Sequence, residues 1–203
     1  MLPEELRHRL TREEINALPL RCYEGEVRLI RTPEQWLEAL PALRKDGILG
    51  FDTETRPTFR KGRLNAPALI QLATADSVYL IQLGSLPFDE NIATLLADPT
   101  IIKVGVAIRE DMQALAKIHN FVPAGLVDLG QLAHKHDLPS RGLRTLAASL
   151  FGWRISKGSQ CSNWSAPTLS PRQVAYAATD AWIGRMIYLR LKELGIESAE
   201  ENP

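Results

Sequence analysis

The stretch GFDTETRP, residues 50–57, places two carboxylates, Asp52 and Glu54, two positions apart at the end of an apolar lead-in that reads as a β-strand. Residues i and i+2 of a strand project to one face, so the two acids stand side by side while Thr53 points away. Carboxylates this close repel, and one takes up a proton unless a cation or a donor stabilises both charges. The pairing asks for a positive partner; the competing reading is two solvated acids at a strand end. Asp111 lies a few residues beyond the apolar run IIKVGVAI, near the start of a helical pattern. That placement carries it toward the edge of the sheet where Asp52 sits, although acids complement the dipole in the first turn of any helix, and Glu110 competes for the role.

The last chemistry-bearing segment is LSPRQVAYAATDAWIGRMIY. Ser170, Pro171 and Gln173 form an N-cap, N1 and N3 set, which predicts a helix starting near Pro171. In that register Tyr176 and Asp180 share a face, with Gly184 one turn later. Ala175, Ala177, Ala178 and Ala181 keep the helix slim. A slim helix can lie close against a sheet and bring a phenol and a carboxylate to the strand that bears Asp52 and Glu54.

The elements that must position these groups follow from patterning. LTREEINAL reads as a polar N-terminal helix, with Thr11 and Glu14 at capping-box spacing. EVRLIRT reads as a strand. TPEQWLEALPAL reads as a helix with Thr32 as N-cap, Pro33 at N1 and Gln35 completing the box. After a basic loop, ALIQLAT and SVYLIQL predict a hairpin closed by the turn ADS. NIATLLAD is helical, IIKVGVAI suits a strand buried on both faces, REDMQALAKI resumes helical periodicity, and the pattern from LVDLGQLAHKH onward is mainly helical. A hairpin followed by strands alternating with helices predicts an α/β three-layer domain with a central mixed sheet.

The chain has 203 residues, 45% of them hydrophobic and 24% charged, which suits one well-packed globular domain. No apolar run approaches the roughly 18 residues of a membrane span. MLPEELRHRLTREE has no apolar core of a secretory signal, so the expected compartment is cytoplasmic. Cys22 and Cys161 lie in no metal-ligand spacing and read as free thiols. Net charge is zero, so affinity for nucleic acid must come from local patches or bound cations. Arg56, Arg60, Lys61 and Arg63 make one patch, and Arg141, Arg144, Arg154 and Lys157 a looser second one; such runs more commonly mark solvated loops unless the loop borders a site.

Together, GFDTETRP, PALIQLAT, VGVAIREDMQAL and CSNWSAPTLSPRQVAYAATDAW resemble the tyrosine-bearing (DEDDy) branch of the DEDD 3'-5' exonuclease superfamily. The likeness extends to the exonuclease domain of the Werner syndrome protein and, more distantly, to ribonuclease D. It runs over nearly all of residues 27–194. It implies a ribonuclease H-like fold in which Asp52, Glu54, Asp111 and Asp180 bind two divalent metal ions, Mg²⁺ or Mn²⁺, both suited to oxygen ligands. It implies that Tyr176 orients the attacking water, and that a terminal phosphodiester of DNA or RNA is hydrolysed to a nucleoside 5'-monophosphate. In the histidine-bearing branch the residue five before the last Asp is His; here it is Ala175.

The implied division is an N-terminal helical extension at 1–24, the exonuclease domain at 25–196 and a frayed tail at 197–203. The expected partner is a single-stranded or frayed 3' end, with no membrane. Thr53, Arg60, Lys61, Arg63, Gln71, Leu72 and Trp164 are candidate substrate contacts: the basic loop for phosphate, Gln71 and Leu72 for the nucleotide pocket, Trp164 for base stacking or for the core. Two other readings stay open. One is a catalytically weak nucleic-acid-binding module of this fold, against which the five intact residues argue; the other is a phosphodiesterase acting on a small nucleotide.

Overall fold

The capping boxes and apolar runs fold into a three-layer α/β domain, described for residues 6–57 and 65–197 in a computed structural model. Six strands form the central sheet in the order β2-β5-β4-β3-β6-β7. They are β2 (Glu26–Ile30), β3 (Ile48–Thr55), β4 (Pro67–Ala73), β5 (Ser77–Gln82), β6 (Ile102–Gly105) and β7 (Leu126–Asp128). β3 and β5 each run antiparallel to β4, while β2, β6 and β7 pair in parallel with their neighbours, so the sheet is mixed as expected.

The alternation of side chains along β3 sorts the layers. Phe51 packs on one face with α2 (Pro33–Asp46), α3 (Glu90–Ala97) and α4 (Ile108–Ala116), in a core that includes Trp36, Ile70, Leu72, Ile92 and Met112. The other face is covered by α5 (Leu129–Lys135), α6 (Leu143–Phe151) and the 23-residue α7 (Pro171–Glu193). Among the described residues no helix is long and apolar enough to cross a membrane.

The expected caps are present with one variation. Thr32 accepts from Gln35 N, but the Gln35 side chain accepts from Arg31 N and not from the N-cap itself. α1 (Arg12–Ala17) and α7 both start in full capping boxes.

Three places differ from the sequence expectation. The run IIKVGVAI is strand only as far as Gly105; the chain turns through Ala107 at φ 57°, and Ile108 already opens α4. Glycine is needed just before the turn, since a Cβ at Gly105 would lie 2.5 Å from the Phe51 carbonyl oxygen. LVD, read as the start of a helical region, is the sixth strand, and three residues are too few to show a period. The N-terminal segment is more than a peripheral helix. α1 itself is mostly exposed, but Leu6 is buried and β1 (Leu20–Arg21) pairs in parallel with β8 (Arg154–Ile155). Tyr23 N then donates to Thr179 Oγ1 on α7 at 2.9 Å.

The contact that fixes α7 on the sheet is at Gly50 of β3. A Cβ there would stand 2.0 Å from the Ala181 carbonyl oxygen, so the helix backbone rests on the strand backbone. Gly184 is different: a Cβ would meet only Val104 O at 3.7 Å and side-chain carbons farther off. The expected outcome is that Gly50→Ala costs about 3 kcal/mol or more, because neither backbone can yield. Gly184→Ala should be neutral or stabilising by about 0.5–1 kcal/mol through helix propensity. Urea denaturation of the two variants checks the contrast, and equal costs would refute the proposed contact.

Candidate active site

β3 delivers its acids to the edge of the sheet on the face covered by α7. In this register Asp52 lies opposite Gln71 and Glu54 opposite Leu69, and a register irregularity follows immediately at Glu54/Thr55. Glu54 and Asp180 are each only 8% exposed. Asp180 and Tyr176 lie on the face of α7 that meets β3, with the Tyr176 hydroxyl near enough to the Asp180 carboxylate to lower its pKa. Asp111 arrives from the other side. α4 packs on the Phe51 face, where Thr53 also points, and the Thr53 hydroxyl donates to Asp111 Oδ1 at 2.7 Å. The sheet edge is thus gripped from both faces by carboxylates.

The charges are strongly unfavourable to one another. Burial holds the Asp52 carboxyl well above its ordinary range, and the charges of Asp180 and Asp111 add to the rise. Glu54 is pushed to about 9 by burial and then by the charges of Asp52, Asp180 and Asp111. Burial raises Asp180 to about 7, against the opposing effects of the Tyr176 hydrogen bond and the Arg144 guanidinium. Asp111 rises to about 6 through burial, although the Thr53 hydroxyl pulls it down. The Tyr176 phenol is also raised, first by burial and next by the Asp180 and Glu54 charges, so it stays protonated at neutral pH.

Among the described residues no three His, Cys, Asp or Glu side chains are drawn up around a single ion-sized point. Three of the four carboxylates have a local neighbour: Asp52 accepts from Thr53 N, Asp111 accepts from the Thr53 hydroxyl, and Asp180 lies beside the Tyr176 hydroxyl. The donor set still fits hard divalent cations, because all four groups are carboxylates and a cation would relieve the repulsion that raises them.

A cleft of about 330 Å³ is lined by Asp52, Thr53, Glu54, Tyr176 and Asp180, while Asp111 stands behind Thr53 and is not part of its lining. Arg144 of α6, together with Ser156, Lys157 and Gln160 from the segment before α7, lines the cleft as well. Arg144 and Lys157 belong to the looser basic set whose common reading is a solvated loop; the fold instead brings them to the cleft. Their charge was visible in the sequence, but the spacing between α6 and the following segment gave no sign of a shared wall.

Other expected contacts fall elsewhere. Leu72 is fully buried in the core beneath α2 and α4, on the face opposite Asp52. Gln71 is fully buried on the Asp52 face, with no partner for either amide atom among the described residues. Neither lines the cleft. Trp164 is 1% exposed and packs beside Tyr176 with ring centroids 6.0 Å apart, so it serves the core and offers no face to a base. Arg60, Lys61 and Arg63 lie outside the described residues.

A mixed sheet whose edge carries paired acids, met by an aspartate from one face and a Tyr–Asp pair from the other, defines the class of ribonuclease H-like exonuclease domains. Residues 27–195 match the 3'-5' exonuclease family, and the chain belongs to that family. It is 32% identical over 168 residues to the mouse bifunctional 3'-5' exonuclease/ATP-dependent helicase WRN, covering 76% of this chain and 12% of that protein. It is 34% identical over 169 residues to ribonuclease D of Gluconacetobacter diazotrophicus, covering 81% of this chain and 42% of that protein. The EXO domain of Aedes aegypti Nibbler has a similar structure, with a TM-score of 0.74 at 26% identity over 89% of this chain and 95% of that one. The chain thus spans less than half the length of these two curated relatives.

The raised carboxyls have a consequence for stability. Glu54, Asp111 and Asp180 hold protons in the native state that the unfolded chain has already released. Their contribution is therefore full below about pH 4 and is lost as the pH rises through the folded-state values. In EDTA the melting temperature should fall by at least about 5 °C between pH 5 and 9, and Asp52→Asn should flatten that fall. Melting curves across this range check it; a wild-type profile that rises toward pH 9 would contradict the clustering.

Proposed function

We propose that the chain is a divalent-metal-dependent 3'-5' exonuclease that hydrolyses the terminal phosphodiester of single-stranded or frayed DNA or RNA ends and releases nucleoside 5'-monophosphates. The observation that carries this reading is the convergence of buried Asp52, Glu54 and Asp180 on one face of β3, where burial raises all three and neighbouring charges raise Asp52 and Glu54 further, with Asp111 adding to the rise of both from the other face. So costly a cluster destabilises the fold unless it serves to bind cations. Membership of the 3'-5' exonuclease family supports the same conclusion.

Asp52, Glu54, Asp111 and Asp180 would hold two Mg²⁺ or Mn²⁺ ions. When bound, such ions neutralise developing charge on a phosphodiester and lower the pKa of water. The chain's own residues supply the remainder. Tyr176, kept protonated by burial and by the nearby acids, is a hydrogen-bond donor and not a base, so its task is to hold the attacking water in line. The Thr53 hydroxyl fixes the Asp111 carboxylate from the opposite face of the strand. Arg144 and Lys157 put positive charge on the wall facing the acids, where they can orient a phosphate without reading sequence. Arg144 Nε is itself fixed by donation to Ile155 O at 2.7 Å.

The decisive experiment is a gel time course on 5'-labelled DNA and RNA oligonucleotides with Mn²⁺ or EDTA. A ladder shortening from the 3' end with Mn²⁺ alone is expected. Asp52→Asn should abolish it, and Tyr176→Phe should slow it by about 10²-fold while leaving the Mn²⁺-induced rise in melting temperature intact. Intact oligonucleotides that still shift on a native gel would establish a binding module instead, and cleavage of dinucleotides in preference to longer strands would establish a small-nucleotide phosphodiesterase.

A further inference from the structure

A second cavity of about 360 Å³ adjoins the catalytic cleft and shares Tyr176 and Ser156 with it. Its size is within the range of small-molecule sites. The inner wall is the α7 face that carries Ala175 and Tyr176, and the outer wall is Leu20 and Arg21 of β1 with Ile155 of β8. The floor is apolar, and Leu20 is 54% exposed there although nothing in the fold requires a large exposed hydrophobic. Among the described residues two cations, Arg21 and Arg172, line it, and no carboxylate does. The Arg21 guanidinium stands 5.9 Å over the Trp153 ring. The β1 residues that line it lie outside residues 27–195 that match the exonuclease family, so family membership alone does not account for this wall.

The geometry points to this groove as a subsite for the nucleotides that precede the scissile one, with Arg21 and Arg172 on backbone phosphates and the exposed Leu20 under sugar or base. The assignment rests on the nuclease reading above and deepens it. The occupant is a nucleic-acid strand because the groove continues directly from the site at Tyr176, its charge is of one sign, and its apolar floor suits bases without selecting among them. A strand whose 3' end lies at the acids has to leave the cleft past one of its walls. Past Tyr176 it meets two arginines, while the sheet edge beside Glu54 presents carboxylates.

The test uses fluorescence anisotropy of the full chain in EDTA with 5'-fluorescein oligo(dT) and oligo(U) of about 12 nucleotides, enough to fill the groove and the cleft together. The Arg21→Ala/Arg172→Ala protein should bind about tenfold more weakly. Its log Kd against log salt should be shallower by about 1.4, the loss of two phosphate contacts to a single strand. Leu20→Asp, a change at an exposed site, should weaken binding in the same direction. In Mn²⁺, the preference in kcat/KM for the 12-mer over a dinucleotide should shrink about tenfold in the double variant. Unchanged affinity and salt slope in both variants would overturn the subsite. A wild type that binds but never cuts would instead remove the nuclease reading, while the anisotropy comparison still decides the groove; DNA and RNA arms that respond alike would show a backbone-reading site.

Discussion

The close approach of α7 to β3 is the constraint from which the site follows. Gly50 and Ala181 meet backbone to backbone, and one turn of helix back from Ala181 are Ala177 and Ala178, both fully buried. No side chain separates the two elements at this point, so the backbone separation between Asp52 on the strand and Asp180 on the helix is set by direct backbone packing. Rigid placement matters because two buried carboxylates gain nothing from each other and drift apart if the scaffold permits it. A second tie keeps the helix from sliding: Arg185, one turn after Ala181, donates to the Ile48 carbonyl at 3.0 Å and to Asp46 Oδ1 at 2.8 Å. Asp46 in turn accepts from Ala75 N in the β4–β5 turn at 2.6 Å, so one nearly buried ion pair joins α7, the end of α2 and the hairpin. Such a pair contributes little net energy but strongly specifies one arrangement, since breaking it strands a charge.

The remainder of the domain offsets the cost of the acids. Two apolar cores, one beneath α2, α3 and α4 and the other beneath α5, α6 and α7, clamp the sheet so that its edge cannot relax. The repulsion among Asp52, Glu54 and Asp180 is therefore held in place as a demand for positive charge. Arg144 meets part of it from the facing wall, yet Asp180 still sits at about 7 and Glu54 at about 9. One guanidinium is too little, and the deficit is what gives a divalent cation its leverage.

How much of this could be read from sequence depended on whether a local signal existed. The acids of β3 and the Tyr–Asp pair of α7 were legible because strand period and capping box fix their registers independently, and the slimness of α7 was visible in its alanines. That Gly50 is where the helix lands was not legible, since a glycine in a strand has several meanings. The β7 strand was too short to show a period. Lys103 is a lysine within an apolar run. It is fully buried in β6, with its ammonium capped by the carbonyls of Asp98 and Ile101 at 2.7 Å each and its pKa lowered to about 8 by burial. The run IIKVGVAI therefore did describe a buried segment, although only four residues of it are strand. Leu72 falls in the core because proximity to a catalytic strand says nothing about which face a side chain takes until the pairing register is known, whereas Gln71 shares the Asp52 face and Trp164 packs beside Tyr176, and burial keeps both out of the cleft.

Thr53 illustrates how the two faces of one strand cooperate. Alternation sends it away from Asp52 and Glu54, which on sequence grounds makes it a bystander or a loose contact to substrate. Because α4 lies on that far face, the residue pointing away from the acids is the one that can reach Asp111, and its hydroxyl does so at 2.7 Å. The strand thus positions carboxylates on both sides: directly with Asp52 and Glu54, and through a hydrogen bond with Asp111. Valine at this position would keep the strand and the packing but leave Asp111 without its donor, and a hydroxyl is the smallest group that satisfies both requirements. The sequence D-T-E is therefore one device, in which the middle residue positions an acid carried by a different element.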